Sequence, residues 1–364
     1  MKPRVAIVHD YLVDSGGAER VVIALHEQYP DAPIFTSVMD AQTTFAEFRA
    51  MDVRTSFLQR LPVQKSNYKF LLPFFPIAFE SFDLLEYDIV ISSASAFAKG
   101  VITPADALHV CYCYTPPRFV WRFHEYVAQE QLGRVQRALI QLIVHYLRLW
   151  DYAAAQRVDF FVSVSEATAR RIHKNYRRES VVIHPPVTVE QFTPRDDICD
   201  YYLIVSRLTP YKRIDLAVQA FNELQLPLKI AGAGIDAVRL QRMASPNIEF
   251  LGHVPQDRLV DLYARCRAVI FPGVEDFGIV PLEANAAGRP VIAYAAAGAL
   301  ETMVDGVTGA FFREQTPAAL AQAVRETDVA RFDARMLRQH AEQFSQTRFR
   351  ERIANFIEGK WRTR

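Results

Sequence analysis

The chain has 364 residues, half of them hydrophobic, and its 42 basic side chains nearly cancel 41 acidic ones. That length exceeds what one hydrophobic core usually supports, so two domains are the default, and the composition excludes a disordered chain. The near-zero net charge argues against a general nucleic-acid binder, which carries a basic excess.

Met1-Lys2-Pro3-Arg4 runs straight into the apolar stretch Val5–Val8, without a segment long enough for a signal peptide or a membrane span, which reads as a cytoplasmic protein. Short β-like runs recur at 5–8, 34–36, 89–92, 109–113, 160–164 and 181–183, with helical patterns between most of them. They predict a doubly wound α/β domain over residues 1–185. A second series at 203–205, 228–231, 248–251, 269–271, 291–293 and 310–312 predicts another over 186–346. Between the two, His184 to Asp197 holds prolines that forbid a helix and charges that read as a solvated connector. Residues 347–364 are expected to form a terminal helix. Cys111, Cys113, Cys199 and Cys266 lack zinc-type spacing and read as reduced, with Cys111 and Cys113 on one face of a strand.

Three loops at strand ends carry candidate chemistry. After the first strand, His9-Asp10-Tyr11-Leu12-Val13-Asp14-Ser15-Gly16-Gly17-Ala18-Glu19 precedes an amphipathic helix, and Gly16 and Gly17 let backbone N–H groups approach an oxyanion closely. By itself a Gly-Gly pair before a helix is common. After 203–205, the loop from Ser206 to Arg213 holds three cations. Arg207 and Lys212 are suited to neutralise charge on a departing diphosphate in an enzyme without a bound metal; a solvated basic loop is the other reading. After 269–271, Pro272 and Gly273 end the strand and Pro281-Leu282-Glu283-Ala284 opens a helix. Glu275 and Glu283, separated by seven residues, therefore converge at the carboxyl edge of a sheet. There, helix N-termini favour anions and carboxylates can grip vicinal hydroxyls. Gly232-Ala233-Gly234 makes a further glycine turn at a strand end.

The run Glu275-Asp276-Phe277-Gly278-Ile279-Val280-Pro281-Leu282-Glu283-Ala284 has an E-x-F-G-x-x-x-x-E-A arrangement that resembles the hallmark of the retaining glycosyltransferases of family four. The resemblance implies the GT-B architecture: two Rossmann-like doubly wound domains facing across a cleft, with the last helix crossing back to the first domain. It implies that Arg207 and Lys212 bind the donor pyrophosphate, that Glu275 orients the sugar hydroxyls and that Glu283 holds the ribose. Gly16, Gly17, Gly232, Gly234, Phe277, Gly278, Ile279 and Val280 would border the donor, and His253 lies in the segment that holds the base through backbone atoms. No metal and no cofactor beyond the sugar nucleotide are implied, and the leaving phosphate would itself take the acceptor proton.

Within the family, the first half resembles the bacterial polysaccharide and O-antigen mannosyltransferase branch, through Phe57-Leu58-Gln59-Arg60-Leu61-Pro62, Leu71-Leu72-Pro73, Tyr87 to Ser93, Ala96 to Val101 and Cys113 to Trp121. That implies hexose transfer, from GDP-mannose first and UDP-sugars next, to a glycan or lipid-linked acceptor. Relatives commonly read C-H-T-P with W-D closing the segment. Here Tyr114 and Arg122 stand instead, and Tyr114 and Arg118 are expected near the sugar and acceptor. A tyrosine donates a hydrogen bond but is no base near neutral pH unless its pKa is strongly lowered. His124 is close in sequence but out of register. A degenerate sugar-nucleotide-binding protein and an epimerase of the same fold stay open as alternatives; a phosphorylase-like enzyme would need a lysine-bound pyridoxal phosphate, no segment resembles such a site, and absorbance at the cofactor's band is the check.

Residues 118–178 hold eleven Lys or Arg against five acidic residues, interleaved with Leu139-Ile140, Leu142-Ile143-Val144 and Tyr146-Leu147. This suits an anionic membrane surface carrying a lipid-linked acceptor, at the inner face of the plasma membrane. A solvated helix face is the competing reading.

Overall fold

The computed structural model describes residues 3–61, 68–123 and 134–364; Pro62, His124 and the part of the basic segment at 124–133 lie outside the described residues. The chain forms two compact units, Met1–Pro185 with Phe349–Arg364, and Pro186–Arg348.

The strands of the first unit are β1 (Val5–His9), β2 (Ile34–Thr36), β3 (Val53–Thr55), β4 (Ile89–Ala94), β5 (Leu108–Cys113), β6 (Phe160–Ser163) and β7 (Ser180–Val182). They pair in the order β3-β2-β1-β4-β5-β6-β7, every pair parallel. Every residue of β4 and β5 is buried, as a parallel sheet covered on both faces requires. Strand β3 is absent from the sequence reading because Val53, Arg54 and Thr55 are partly or fully exposed at the sheet edge. It exists through its pairing with β2 rather than through an apolar run. Cys111 and Cys113 both point into one buried cluster.

The second unit contains β8 (Tyr202–Val205), β9 (Leu228–Ala231), β10 (Ile248–Gly252), β11 (Val269–Phe271), β12 (Val291–Tyr294) and β13 (Gly309–Phe312). Their order is β10-β9-β8-β11-β12-β13, again all parallel. In each sheet the strand order reverses once beside the unit's first strand, between β1 and β4 and between β8 and β11. Ligands of open α/β sheets bind outside the carboxyl ends of the strands at such reversals.

The helix Gln346–Arg362 brings Phe349, Ile353 and Ile357, spaced at one helical face, into the buried cluster around Tyr112 and Ile183 of the first unit. The Phe349 and Tyr112 rings meet edge-on at 5.6 Å. The connector differs from its reading as solvated throughout: Val187, Val189 and Phe192 are buried in the core of the second unit. Prolines stop the helix there, but the alternating apolar residues still find a core, and Val187 bridges to Ser345 in parallel.

His109, on β5, is fully buried; its Nε2 lies 2.8 Å from Ser92 Oγ, and its Nδ1 has no partner among the described residues. Burial, helped by the Arg157 cation, pushes its pKa down from 6.5 to about 3. Between these two values the unfolded chain binds the proton and the folded chain does not, so stability falls as the pH drops below 6.5. The expected slope is about 1.4 kcal/mol per pH unit between roughly pH 6 and 4. Thermal melts of the protein and of His109→Gln across this range check it: the variant's melting temperature should fall less steeply with acid.

Candidate functional site

In the second unit the reversal between β8 and β11 brings two distant loops together. The β8 loop ends in a short 3-10 turn, Pro210–Lys212, after which Arg213 adopts a left-handed conformation and starts the helix Ile214–Leu224. The β11 loop carries Glu275. Lys212 Nζ is ion-paired with Glu275 Oε1, and both side chains are largely sheltered, at 13% and 25% exposure. The ammonium also stands 5.1 Å from the centre of the Tyr211 ring. The backbone of Glu275 is fixed in turn, since its carbonyl accepts from Gly298 N at 3.0 Å. A side chain at Gly298 would put Cβ within 2.0 Å of the Phe277 carbonyl oxygen, so this close approach requires glycine.

The helix after Glu275 starts at Ile279, two residues before its expected opening, with Gly278 at φ 90° as its cap. Pro281 falls in the first turn, where its missing N–H is one of the helix's unpaired donors anyway. Ile279 and Val280 thus offer first-turn N–H groups without an intrahelical acceptor, in the loop-to-helix stretch that begins with Glu275. Glu283 is buried one turn deeper, where Tyr263 Oη donates to its Oε2 at 2.8 Å. Phe277 does not face the loop surface: its ring is buried in the core, 5.9 Å from Phe344.

The other loops of this sheet edge are laced to the β8 loop. Ser206 N donates to Ala231 O, Leu208 N to Ala233 O and Gly232 N to Gly252 O, at 3.0, 2.9 and 2.7 Å. Gly232 and Gly234 flank Arg207 from across this ladder, and a Cβ on Gly232 (φ 139°) would lie 1.8 Å from Ser206 O. Loop-to-loop packing alone therefore demands glycine there. Arg207 and His253 are exposed on this edge. Arg213, the loop's third cation, is committed to structure: it donates to Asp215 and to Gln315, whose amide donates to Pro272 O.

The first unit's reversal, between β1 and β4, holds a polar cluster that the sequence reading passed over. Asp10, 1% exposed, accepts five hydrogen bonds of 2.6–2.9 Å, from the amides of Ser95, Ala96, Phe97 and Ala98 and from Ser95 Oγ. The neighbouring His9 Nδ1 lies 3.0 Å from Ser93 Oγ, which meets Tyr114 Oη at 2.8 Å, and Tyr114 Oη donates to Ala18 O at 3.0 Å. The only hint of this in the sequence was polar residues at the carboxyl ends of both strands flanking the reversal.

Gly16 and Gly17 open the helix Gly17–Gln28, but they are not equivalent as donors. Gly16 N is occupied by Glu19 Oε2 at 3.0 Å, the acidic half of a capping box. Gly17, at the first helical position, keeps an N–H without an intrahelical acceptor. This corrects the expectation that both amides are open to an oxyanion. Burial pushes the Tyr114 pKa well above its ordinary value, although its contact with Ser93 works the other way. The hydroxyl therefore stays protonated and is no base. Arg118 begins a short helix, Arg118–Trp121, that follows Tyr114 and the prolines.

Residues 190–342 match the family described as Glycosyl transferases group 1, and residues 15–191 match Glycosyltransferase Family 4, so the two together take in most of the chain. A D-inositol 3-phosphate glycosyltransferase of Geodermatophilus obscurus is 31% identical over 202 residues, 46% of this chain and 45% of the relative. A GDP-mannose-dependent alpha-(1-6)-phosphatidylinositol monomannoside mannosyltransferase of Mycolicibacterium smegmatis is 32% identical over 183 residues, 42% of this chain and 48% of the relative. The chain spans about half the length of the curated relatives it matches. Among solved structures, the Anabaena protein HepE, in complex with UDP and glucose, superimposes with a TM-score of 0.72 at 19% identity, covering 98% of this chain and 99% of HepE. Two parallel-sheet Rossmann-like domains of this kind are the GT-B fold. The chain belongs to the group 1, family-four glycosyltransferases.

Proposed function

We propose that the protein is a retaining, metal-independent glycosyltransferase that moves a hexose from a sugar nucleotide to a lipid-linked or polysaccharide acceptor in cell-surface glycan synthesis, on the cytoplasmic side of a membrane. The observation that carries this reading is the Lys212–Glu275 pair at the β8/β11 reversal, in the loop that leads into the helix Ile279–Ala286. A cation, helix-terminal N–H groups and a carboxylate at one sheet edge are the groups needed by a ligand with a diphosphate and vicinal hydroxyls. In this reading Lys212 and Arg207 take the developing charge of the leaving diphosphate. Glu275 holds the sugar hydroxyls, and Glu283, its other contact fixed by Tyr263, holds the ribose. The first unit is the acceptor side, and the Gly17 amide, which unlike that of Gly16 is not taken by Glu19, is available to the diphosphate.

The protonated, hydrogen-bonded Tyr114 favours a transfer that needs no side-chain base at that position, the acceptor proton passing to the departing phosphate. Mannose from GDP-mannose is the first donor, because the M. smegmatis relative is named for that donor and for a lipid acceptor. The HepE complex, which holds UDP and glucose, supports a UDP-sugar as the second.

A thermal-shift panel of GDP, UDP, GDP-mannose and UDP-glucose tests this. Selective binding to the folded state at about a hundred times Kd adds about 2.7 kcal/mol, a rise of several degrees. GDP and GDP-mannose should give it. A shift with the uridine compounds alone would reassign the donor, and no shift with any of the four would remove the transferase reading.

A further inference from the structure

Lys212 and Glu275 meet although they stand on different loops, so the distance between the two backbones has to be set by the structure around them. The loops touch directly, since a Cβ on Gly273 would come within 2.7 Å of Lys212 O. They are also tied through a third segment. Gln315 follows β13, the edge strand two places beyond β11. Its Oε1 accepts from Nη1 of Arg213, the residue after Lys212, at 3.2 Å. Its Nε2 donates at 3.1 Å to the carbonyl of the buried Pro272, where the Glu275 loop leaves β11. One side-chain amide therefore spans both loops. Only an amide can do this, because a carboxylate accepts at both ends and a hydrocarbon does neither.

The backbone on both sides of the pair is strained. Among the described residues, four that are not glycine have positive φ: Arg177, Arg213, Gln225 and Ala297. Arg177 and Gln225 end helices of 11 residues, where a left-handed residue is usual. The other two adjoin the pair. Arg213, at φ 53°, directly follows Lys212, and Ala297, at φ 45°, precedes Gly298, whose N–H holds the Glu275 carbonyl. Such conformations persist only where the surroundings impose them, and they collect at functional sites. The strained Arg213 is the residue that Gln315 holds, so the clasp and the strain on the β8 side belong to one arrangement.

We propose that Gln315 is a positioning residue, whose amide sets the spacing between Lys212 and Glu275. The inference rests on the reading that Lys212 takes the diphosphate and Glu275 the sugar. In that reading the bond that breaks lies between the two groups, so the loop spacing decides whether both ends of the donor are held in reactive geometry at once. Binding of a nucleoside diphosphate alone uses the Lys212 side and does not need that spacing.

Two variants test it. Gln315→Met keeps the length of the side chain and removes both hydrogen bonds, whereas Gln315→Glu keeps the bond to Arg213 and loses the one to Pro272 O. Parent and variants are compared in the release of nucleoside diphosphate from GDP-mannose and from UDP-glucose, with water as acceptor, and in calorimetric binding of GDP and UDP. On the donor that the parent splits, each variant should be at least about tenfold slower in kcat, with KM and the Kd of the matching diphosphate within about threefold of the parent's. A tie that merely joined the ends of two helices would lower the melting temperature and leave kcat alone. Parental kcat in either variant overturns the proposal. So does a parallel loss of diphosphate binding, which would make Gln315 a support of the β8 loop itself rather than of the spacing. A parent that splits neither donor defeats the transferase reading and this proposal with it, while an active parent beside unchanged variants defeats the proposal alone.

Discussion

Lys212→Ala is expected to lower turnover about a hundred- to a thousandfold while leaving the fold intact, the range seen when one preorganised donor to a developing negative charge is removed. Lys212 is the sheltered cation at the β8/β11 reversal, and its carboxylate partner is Glu275. Deleting it leaves a carboxylate that is still a quarter exposed, which costs the folded state little. The same pair makes a second expectation with the opposite sign for binding. With no donor bound, Glu275 is the anion that neutralises Lys212, so a diphosphate has to displace it. Glu275→Gln should therefore tighten nucleoside diphosphate binding while it abolishes transfer. Calorimetric titration of both variants, with product formation measured in parallel, separates the two effects. Near-normal kinetics in Lys212→Ala would remove the phosphate role. Weaker diphosphate binding in Glu275→Gln would show that the carboxylate serves the ligand rather than competing with it.

The architecture was legible in the sequence because parallel strands buried on both faces read as short apolar runs. Runs such as 228–231 and 269–271 coincide with β9 and β11 to the residue. Only β3, whose residues earn their place by edge pairing and not by burial, left no such trace. The candidate chemistry was legible for a related reason: the fold concentrates it on loops at strand ends, so Arg207, Lys212 and Glu275 stand out as charges in the loops that follow apolar strands. What stayed hidden is everything decided by contact between segments far apart in the chain. Tyr263 reaches Glu283 from another helix. The loop that Asp10 gathers by its backbone N–H groups has no sequence signature, because an amide looks the same in every residue. Gly232 shows the converse. A glycine turn at a strand end invites a ligand-binding reading, yet the neighbouring carbonyl of Ser206 already excludes any side chain there.

Asp151→Ala is expected to be the most damaging single change to the first unit, costing about 3–5 kcal/mol, the usual result of stripping one partner from a buried ion pair. Lys99 and Asp151 are ion-paired with each side chain only 2% exposed. Burial by itself would lower the Lys99 pKa; the Asp151 carboxylate, through its charge and hydrogen bond, raises it above the ordinary lysine value instead. The lysine is thus charged in the core only because Asp151 is there. The same carboxylate accepts from Trp121 Nε1 at 2.7 Å and Tyr176 Oη at 2.8 Å, so alanine orphans three donors together. At about 2–4 °C per kcal/mol for a domain of this size, the melting temperature should fall by roughly 10 °C. The double variant Asp151→Leu/Lys99→Met, which removes both charges and keeps the volume, should recover the part of the loss due to the uncompensated lysine but not the part due to the Trp121 and Tyr176 donors. The consequence reaches the candidate site through one stretch of backbone. Lys99 directly follows Ser95–Ala98, the segment whose N–H groups close on Asp10 at the β1/β4 reversal. Without Asp151 that segment keeps Asp10 and the Arg157 bond to Gly100 O but loses the ion pair that anchors Lys99 between them. In whatever fraction of Asp151→Ala folds, transfer should fall further than stability alone explains, and the double variant should regain stability before it regains activity. Recovery of both in equal measure would mean that the buried pair supports the fold without setting the geometry of the loop.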